Sequence, residues 1–234
     1  MSTKKRFTER ILRIIRFCIF FFFISTITIT IIYRFVPPPL TPLMVIRLGE
    51  QLSEGKEVKL RKEWRKLEMI SPNMVQAVVA AEDNNYMKHF GIDFEAIQKA
   101  AELNKKSKVL RGASTISQQT AKNVFLWPDR SWVRKGLEVY FTELIEIFWG
   151  KERIMEVYLN VIEMGEGIYG VEEAAQTYFH KPASNLNPHE AAILAAILPN
   201  PRKWSPVHPT NYLLRKQQRI IRAMNRIDRV EFGN

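Results

Sequence analysis

One uncharged apolar stretch constrains this chain more than any other feature. Residues 17–33 have the sequence FCIFFFFISTITITIIY, and apolar residues continue backward to Ile11 around Arg13 and Arg16. A membrane-spanning helix takes about 20 mostly apolar residues, and long arginine side chains can reach the headgroups from within such a helix. The sequence therefore predicts one transmembrane anchor over residues 11–35.

The charges that precede the anchor predict its orientation. Six basic residues and one acid lie among the first 16 residues. The positive-inside bias therefore places residues 1–10 in the cytoplasm as a basic tail, and the chain after the anchor outside the inner (cytoplasmic) membrane. A cleaved signal peptide is the alternative, but the apolar run ends in TIIYRFVPPP without an A-x-A-like site, which favours an uncleaved anchor.

Net charge limits the partners of the exported part. The chain carries a formal charge of +11, and about +5 of it belongs to residues 37–234. A basic surface suits an anionic partner. Nucleic acid is not expected because the domain is exported, whereas lipid headgroups or a phosphorylated lipid fit. The single cysteine, Cys18, lies inside the apolar run, so no disulfide is expected in the exported part.

Beyond the anchor, the sequence predicts a stalk followed by one mainly α domain. Residues 36–70 form a Pro-containing stalk and lead-in, in which VPPPLTPL is expected to be a stiff polyproline-type spacer and EVKL, near Val58, a short strand. Residues 71–234 contain few strand patterns. The predicted helices cover residues 72–82, 93–103, 115–124, 132–149, 151–160, 172–179, 188–198 and 210–227.

The first candidate functional segment is VVAAEDNNYMKHFG, residues 78–91. The helix that begins at Ser71-Pro72 carries a buried apolar stripe, and the next position of this stripe is Glu82, while Asp83 is turned about 100° away. Burying a carboxylate is costly unless it is paired. Glu82 is therefore a candidate general base, or a core acid that is neutralised by an arginine or caps a neighbouring helix. His89 is a second candidate base or a loop anchor.

The second candidate is RGASTISQQTAKNVF, residues 111–125. Gly112 permits a tight turn, and Thr115 with Gln118 forms a capping-box pattern that leaves free N–H groups at a helix N-terminus. Gln118 and Lys122 share one helical face, which suits a sugar with an attached phosphate. The alternative is an ordinary capped surface helix.

The third candidate is the helix that follows DRS at residues 129–131. Arg130, Arg134 and Glu138 fall at i, i+4 and i+8 on one face. An exposed salt-bridged helix is the common explanation, but many apolar residues on the same helix predict that its charges face a cleft. Further along the chain, Glu163 belongs to a glycine-containing loop that either reaches a substrate or turns a corner. No cluster has metal-ligand spacing, so no metal site is predicted.

Taken in order, these segments resemble the peptidoglycan glycosyltransferase family, the polymerising module of class A penicillin-binding proteins. EDNNYMKHFG is similar to the first family motif, with Tyr86 in place of the usual phenylalanine. GASTISQQ, RKGLE and KERIMEVYLN resemble the second, third and fourth motifs, and GIYGVEEAAQTYF matches the downstream stretch.

The resemblance implies a lysozyme-like α head with a small membrane-associated jaw that contains LNKKSKVL. Glu82 matches the catalytic base and Glu138 the second essential carboxylate, while Glu163 falls where bifunctional relatives often have tyrosine. Four residues are expected to support the site: Asp83, His89, Gly112 and Thr115. With Gln118 from the helix pattern, the expected substrate-binding residues are Ser114, Gln118, Gln119, Lys122, Arg130, Arg134, Lys135 and Arg202.

The activity that the resemblance implies is polymerisation of lipid II into β-1,4-linked glycan strands, with inversion and release of undecaprenyl pyrophosphate. No cofactor is required, and a Mg²⁺ or Mn²⁺ ion could assist. The expected partners are lipid II, the growing glycan chain, the membrane and proteins of cell division or elongation. Because the chain ends soon after this module, no transpeptidase activity is expected. Two alternatives stay open: a muramidase or lytic transglycosylase that cleaves peptidoglycan, and a non-catalytic cell-wall scaffold.

Overall fold

A computed structural model describes residues 3–106, 112–129 and 131–233. The chain divides into two compact units, Met1–Pro37 and Pro38–Asn234. The first contains one helix, α1 (Thr3–Phe35), of which Phe7–Phe35 is long and apolar enough to cross a membrane. It is the only such helix among the described residues.

The second unit is built mainly of helices, as predicted. They are α2 (Pro42–Ser53), α3 (Pro72–Glu82), α4 (Phe94–Lys106), α5 (Ile116–Phe125), α6 (Trp132–Phe148), α7 (Gly150–Val161), α8 (Val171–Phe179), α9 (Pro188–Ile197) and α10 (Asn211–Met224). Two short 3₁₀ turns, Leu67–Met69 and Ala183–Asn185, join them. The expected jaw segment LNKKSKVL lies mostly outside the described residues.

Helix α9 forms the centre of the unit. Ala191 to Ile197 are all buried, and a helix that is apolar on every side is suited to a core position. Helices α3 and α10 pack against it, and α5, α6 and α7 form a second packed group. Helix α10 buries Leu213, Ile220 and Met224 and leaves its arginines in solvent, so its predicted role as an amphipathic closing helix is confirmed.

Residues 38–70 differ from the expected stalk. The stiff spacer does not extend through Leu43, because Thr41 caps a helix whose first residue is Pro42. The expected strand near Val58 is also displaced: β1 is Arg61–Lys62. It pairs in parallel with β3 (Ile168–Tyr169), and β3 pairs antiparallel with β2 (Glu163–Gly165), which gives the order β1-β3-β2. The lead-in is thus part of the folded unit.

Asn160 and Gly170 join this small sheet to the helices. The Asn160 side chain accepts from the Arg65 N–H and donates to the Arg65 carbonyl, each at 2.8 Å. Gly170 starts α8 with φ 81°, and a Cβ there would lie 2.8 Å from the Asn160 carbonyl oxygen. The close approach of two backbone segments, together with the left-handed conformation, requires glycine.

We expect Gly170→Ala to lower the free energy of unfolding by about 1 to 3 kcal/mol, because the added Cβ is strained by both φ and the Asn160 carbonyl. Urea denaturation of the detergent-solubilised chain measures this. Gly49→Ala is the matched control: it lies inside α2 with open space around its Cα, so the same change there should raise stability by about 0.5 to 1 kcal/mol. Equal effects at the two positions would contradict the strain argument.

Candidate active site

Glu82 is the last residue of α3, and hydrogen bonding from α5 fixes its carboxylate. Its Oε2 accepts a 2.8 Å hydrogen bond from Nε2 of Gln119, on α5. The other end of that amide, Oε1, accepts from the Tyr158 hydroxyl at 3.3 Å. Burial raises the pKa of Tyr158 far above its usual range, with the nearby Glu82 and Asp83 charges adding to the effect, so the phenol stays a donor. Gln119 and Tyr158 therefore orient Glu82.

The neighbouring acid, Asp83, has a structural task. Its Oδ2 accepts the Ile116 N–H at 2.9 Å, which is one of the free donors at the N-terminus of α5. Its Oδ1 lies 2.9 Å from Nε2 of His89. A carboxylate at a helix N-terminus also interacts favourably with the helix dipole. Asp83 and His89 thus tie the end of α3 to the start of α5, and Glu82 remains directed elsewhere.

Glu82 lines a cavity of about 380 Å³ that we call the carboxylate cavity. Its wall includes the end of α3, the first turns of α4 and the segment that leads into α5. Ser114 and Lys99 are two of its polar residues. The cavity is open on one side to solvent, so a hydroxyl-bearing ligand can approach the Glu82 carboxylate.

The N-terminus of α5 has the predicted capping box. Thr115 accepts from the Gln118 N–H, and the Gln118 side chain accepts from the Thr115 N–H, both at 3.1 Å. Gln118 is therefore buried in the cap and lines none of the described cavities, unlike the substrate contact that was expected. A Cβ at Gly112 would meet no described atom within 4 Å, so crowding does not require glycine there. The turn around it includes Arg111, outside the described residues.

A second cavity, of about 440 Å³, gathers basic side chains, and we call it the cationic cavity. Four cations line it: Arg47, Lys122, Arg134 and Arg202. Burial lowers the pKa of Lys122, and Arg134 and Lys135 add to this, while Glu138 and Glu82 oppose it. Two acids, Asp129 and Glu163, also line the wall.

Glu138 lies behind this wall. Its side chain is 4% exposed, and it accepts from Arg134 at 2.6 Å and from Lys135 at 2.5 Å. Of these three, only Arg134 lines the cationic cavity. The predicted cleft-facing charges on α6 are therefore organised around a buried carboxylate. Arg130, which was predicted on the same helical face as Arg134 and Glu138, lies outside the described residues.

A smaller cavity, of about 140 Å³, lies beside the cationic cavity. It is lined by Gln119 and Tyr158, which orient Glu82, and by Lys122 and Glu163, which also line the cationic cavity. The orienting amide of the base and the basic cluster therefore share a wall. A ligand in the cationic cavity would extend toward Gln119.

Sequence reasoning missed two contributors to the site. Arg47 was assigned to the stalk, and Tyr158 was placed in the fourth motif without a role of its own. The cap at Thr41-Pro42 and the apolar spacing that follows could have revealed α2, but nothing local in the sequence connects Arg47 to residues such as Glu163, more than 100 positions later. Arg202 lines the same cavity as Lys122 and Arg134, and its role in binding substrate stays a prediction.

The described residues include one group with the geometry to hold a cation, formed by Asp83, His89 and Asp93. The sequence pattern did not predict it. Hydrogen bonds already engage these carboxylates: Asp83 binds His89 and the α5 N-terminus, and Asp93 accepts from Asn85 at 2.9 Å and from the Ala96 N–H at 2.8 Å. The group fits a structural role as it stands.

Comparison with known proteins identifies the family of this helical chain. The family model described as Transglycosylase matches residues 49–225. The chain belongs to the transglycosylase family.

Curated relatives extend the similarity over most of the chain. A biosynthetic peptidoglycan transglycosylase of Bdellovibrio bacteriovorus is 56% identical over 200 residues, 86% of this chain and 80% of that protein. A protein of the same name from Bacteroides thetaiotaomicron is 54% identical, covering 93% of this chain and 88% of the relative. A third, from Caulobacter vibrioides, is 51% identical, with 96% of each chain covered.

Proposed function

We propose that this chain is a peptidoglycan glycosyltransferase that joins lipid II units into β-1,4-linked glycan strands and releases undecaprenyl pyrophosphate. One observation carries the proposal: an oriented carboxylate, Glu82, and a cavity with four cations are linked through Gln119, which donates to Glu82 and lines the small cavity beside the cationic one. The first suits removal of a proton from a sugar hydroxyl, and the second suits a departing pyrophosphate. The names of the relatives support the polymer, peptidoglycan.

In the proposed reaction, the acceptor binds in the carboxylate cavity. Glu82 removes the proton from the 4-hydroxyl of its N-acetylglucosamine as that oxygen attacks C1 of the donor's N-acetylmuramic acid. The C1–O bond to the lipid pyrophosphate breaks and its electron pair stays with the phosphate. A single displacement from the opposite face inverts the anomeric centre, so an α linkage becomes β-1,4. Separated carboxyl groups that leave room for an acceptor are typical of inverting enzymes.

The leaving group is proposed to bind Lys122, Arg134 and Arg202. Phosphate oxygens accept charge-assisted hydrogen bonds from such groups, and preorganised cations stabilise the charge that develops as the bond breaks. Glu138 acts in this scheme through Arg134 and Lys135, which it holds in place. Arg130, Lys135 and Ser114 are proposed to contact other parts of the two substrates. A Mg²⁺ or Mn²⁺ ion could share the pyrophosphate charge.

The anchor suits this substrate. Lipid II is held in a bilayer by its undecaprenyl chain, and Phe7–Phe35 could tether the enzyme to the same bilayer. We propose a single-pass protein of the inner membrane with a cytoplasmic N-terminus, which meets cell-division or elongation proteins outside the membrane.

The cationic cavity favours synthesis over cleavage. A muramidase or lytic transglycosylase would also use a carboxylic acid, but hydrolysis or internal cyclisation of a glycan gives no reason to gather Arg47, Lys122, Arg134 and Arg202 at one cavity. A non-catalytic scaffold would give no reason for the Tyr158–Gln119–Glu82 chain of hydrogen bonds.

The test is to incubate the purified full chain in detergent with fluorescent lipid II and to separate the products by gel electrophoresis. Polymer that a muramidase then degrades is the expected result. Shortening of preformed glycan by the chain itself would support the cleaving alternative, and an unchanged substrate would support the scaffold. Either of these two outcomes would contradict the proposal.

The affinity of the cationic cavity for phosphate is expected to decrease as the pH rises. The decrease should begin at a lower pH than it would if Lys122 had the usual pKa of a lysine. Burial lowers the pKa of Lys122, whereas bound phosphate favours the charged form. The contribution of Lys122 to affinity is therefore complete below this lowered pKa and is lost as the pH rises above it toward the higher pKa of the bound form. Calorimetric titration with inorganic pyrophosphate between about pH 7 and pH 10.5 measures this. Lys122→Arg is the control, because a guanidinium stays charged throughout and removes this part of the decrease. Equal alkaline decreases in the two proteins would contradict the assignment.

A further inference from the structure

A buried polar cluster forms the part of the cationic cavity wall where α2 meets the small sheet. Nε of Arg47 lies 3.3 Å from Oε1 of Glu163, and NH1 of Arg47 lies 2.7 Å from Oε2 of Glu50. The contact between Arg47 and Glu163 misses hydrogen-bond alignment. Nε of Arg47 and Oε1 of Glu163 are both buried without a hydrogen-bond partner among the described residues. The same is true of the hydroxyl of Tyr169, a residue that lies opposite Glu163 in the sheet.

Such a cluster is poorly suited to stabilise the protein by itself. Burial of a charged pair costs more than its attraction returns unless hydrogen bonds satisfy the remaining atoms. Burial raises the pKa of Glu163, although Arg47 and Arg202 oppose this, and it also raises the pKa of Tyr169. Buried polar atoms without a protein partner at the wall of a cavity are available to accept or donate hydrogen bonds to a group that enters it.

The position of the cluster indicates what would fill the cavity. Arg47, Glu163 and Arg202 line the same 440 Å³ cavity as Lys122 and Arg134. Glu163 is 10% exposed and borders both this cavity and the smaller one that leads to Gln119, whereas Asp129, the other acid of the wall, is exposed. An anion entering the cavity would therefore meet a guanidinium that already has a carboxylate partner.

We propose that Glu163 is an internal counter-ion that holds Arg47 while the cavity is empty, and that a phosphate group displaces it, so that α2 contributes Arg47 as a phosphate ligand. The carboxylate and the phosphate compete for one guanidinium. A ligand with several phosphate oxygens wins because it contacts Lys122, Arg134 and Arg202 at the same time, whereas a singly charged group does not. Glu163 thus makes the cavity selective for diphosphates. This inference rests on the proposed diphosphate leaving group.

The competing explanation is a structural ion pair that fixes α2 to the sheet. The two explanations predict opposite effects of Glu163→Gln. If Glu163 competes with the ligand, its removal leaves Arg47 with Glu50, which is 41% exposed, as its remaining carboxylate partner. Affinity for pyrophosphate should then rise by about five- to tenfold, a size set by one typical net hydrogen bond. If the pair is structural, the loosened wall should bind pyrophosphate with equal or lower affinity.

The experiment measures inorganic pyrophosphate binding by calorimetry on the full chain in detergent, without divalent cations. Besides tighter binding by Glu163→Gln, we expect about tenfold weaker binding by Arg47→Gln and an intermediate affinity for Arg47→Lys, which keeps the charge but loses the planar fork. In the double variant, Glu163→Gln should add almost nothing, because the competition requires Arg47. Glu163→Gln should also bind inorganic phosphate more tightly than the wild type does. This gain in affinity should be larger than the gain for pyrophosphate.

Glu57→Gln is the matched control for net charge, because Glu57 is 81% exposed and pairs only with Lys59 among the described residues. It should bind pyrophosphate like the wild type. The inference is overturned if Glu163→Gln, with unchanged circular dichroism and thermal midpoint, binds no more tightly than Glu57→Gln, or if its gain persists beside Arg47→Gln. If Arg47→Gln does not fold, the comparison of Glu163→Gln with Glu57→Gln decides alone.

Failure of the inference differs from failure of the proposed function. If the chain polymerises lipid II but Glu163→Gln does not bind pyrophosphate more tightly, the counter-ion proposal is wrong and the proposed enzyme activity stands. If the variants bind pyrophosphate as expected but the chain makes no polymer, the counter-ion proposal stands and the proposed enzyme activity is wrong.

Discussion

Glu82→Gln should reduce lipid II polymerisation by about 10²- to 10⁴-fold, the range that a positioned general base contributes. The amide has nearly the same shape as the carboxylate, and its oxygen can still accept the bond from Gln119, so the fold should persist. What is lost is the ability to take the acceptor proton. A continuous fluorescent lipid II assay, with circular dichroism on the same samples, measures both quantities.

The control for this change is Glu68→Gln, which removes one acid at a side chain that is 73% exposed and lines none of the described cavities. It should polymerise at the wild-type rate. Binding of pyrophosphate provides a second comparison, because Glu82→Gln should leave it within a factor of about two if Glu82 acts on the acceptor. Polymerisation by Glu82→Gln at the control rate would exclude Glu82 as the base.

The second large effect is expected at Glu138. Glu138→Gln removes the charge that Arg134 and Lys135 share, and Arg134 is only 12% exposed. Loss of one member of a buried ion pair costs about 3 to 5 kcal/mol, and partial exposure of Lys135 reduces this to about 2 to 3 kcal/mol here. Activity should fall by about 100-fold because Arg134 no longer has a defined position at the cavity.

Pyrophosphate affinity separates this role from a direct catalytic one. A positioning role predicts that Glu138→Gln weakens pyrophosphate binding together with polymerisation, whereas a carboxylate that acts on the acceptor would leave that binding unchanged. Glu143→Gln, on the same helix, is the control for helix stability. Measurements at a temperature well below the unfolding midpoint keep the stability loss from being counted as lost activity.

Local sequence signals predicted the elements that lead into the site. Ser71 and Pro72 define the start of α3, and the valine stripe leads to Glu82, so the bounds Pro72–Glu82 agree with the structure. The capping box at Thr115 is also confirmed. These features depend on side chains within four residues of one another, which is the distance over which helix rules operate.

The missed features depend on contacts between distant segments. The prolines before α2 indicated an extended chain, but Pro42 occupies the first helical position, where proline is tolerated. The strands β1, β2 and β3 are two or three residues long, so they leave almost no periodic signal, and β1 pairs with β3 across about 100 positions. Gln118 shares a helical face with Lys122, yet its side-chain amide oxygen accepts the Thr115 N–H in the helix cap. The spacing of residues shows which face of a helix a side chain lies on, but it does not show how deeply that side chain is buried in the fold.

Helix α2 has a practical consequence for any soluble version of this enzyme. Residues 36–41 alone separate it from the end of α1. A fragment cut at residue 71, where the sequence pattern suggests the domain starts, would lose α2 and the Arg61 strand that pairs with Ile168. It would expose the sheet edge and open one side of the cationic cavity. Removal of the anchor should therefore stop before Pro38, where the folded unit begins.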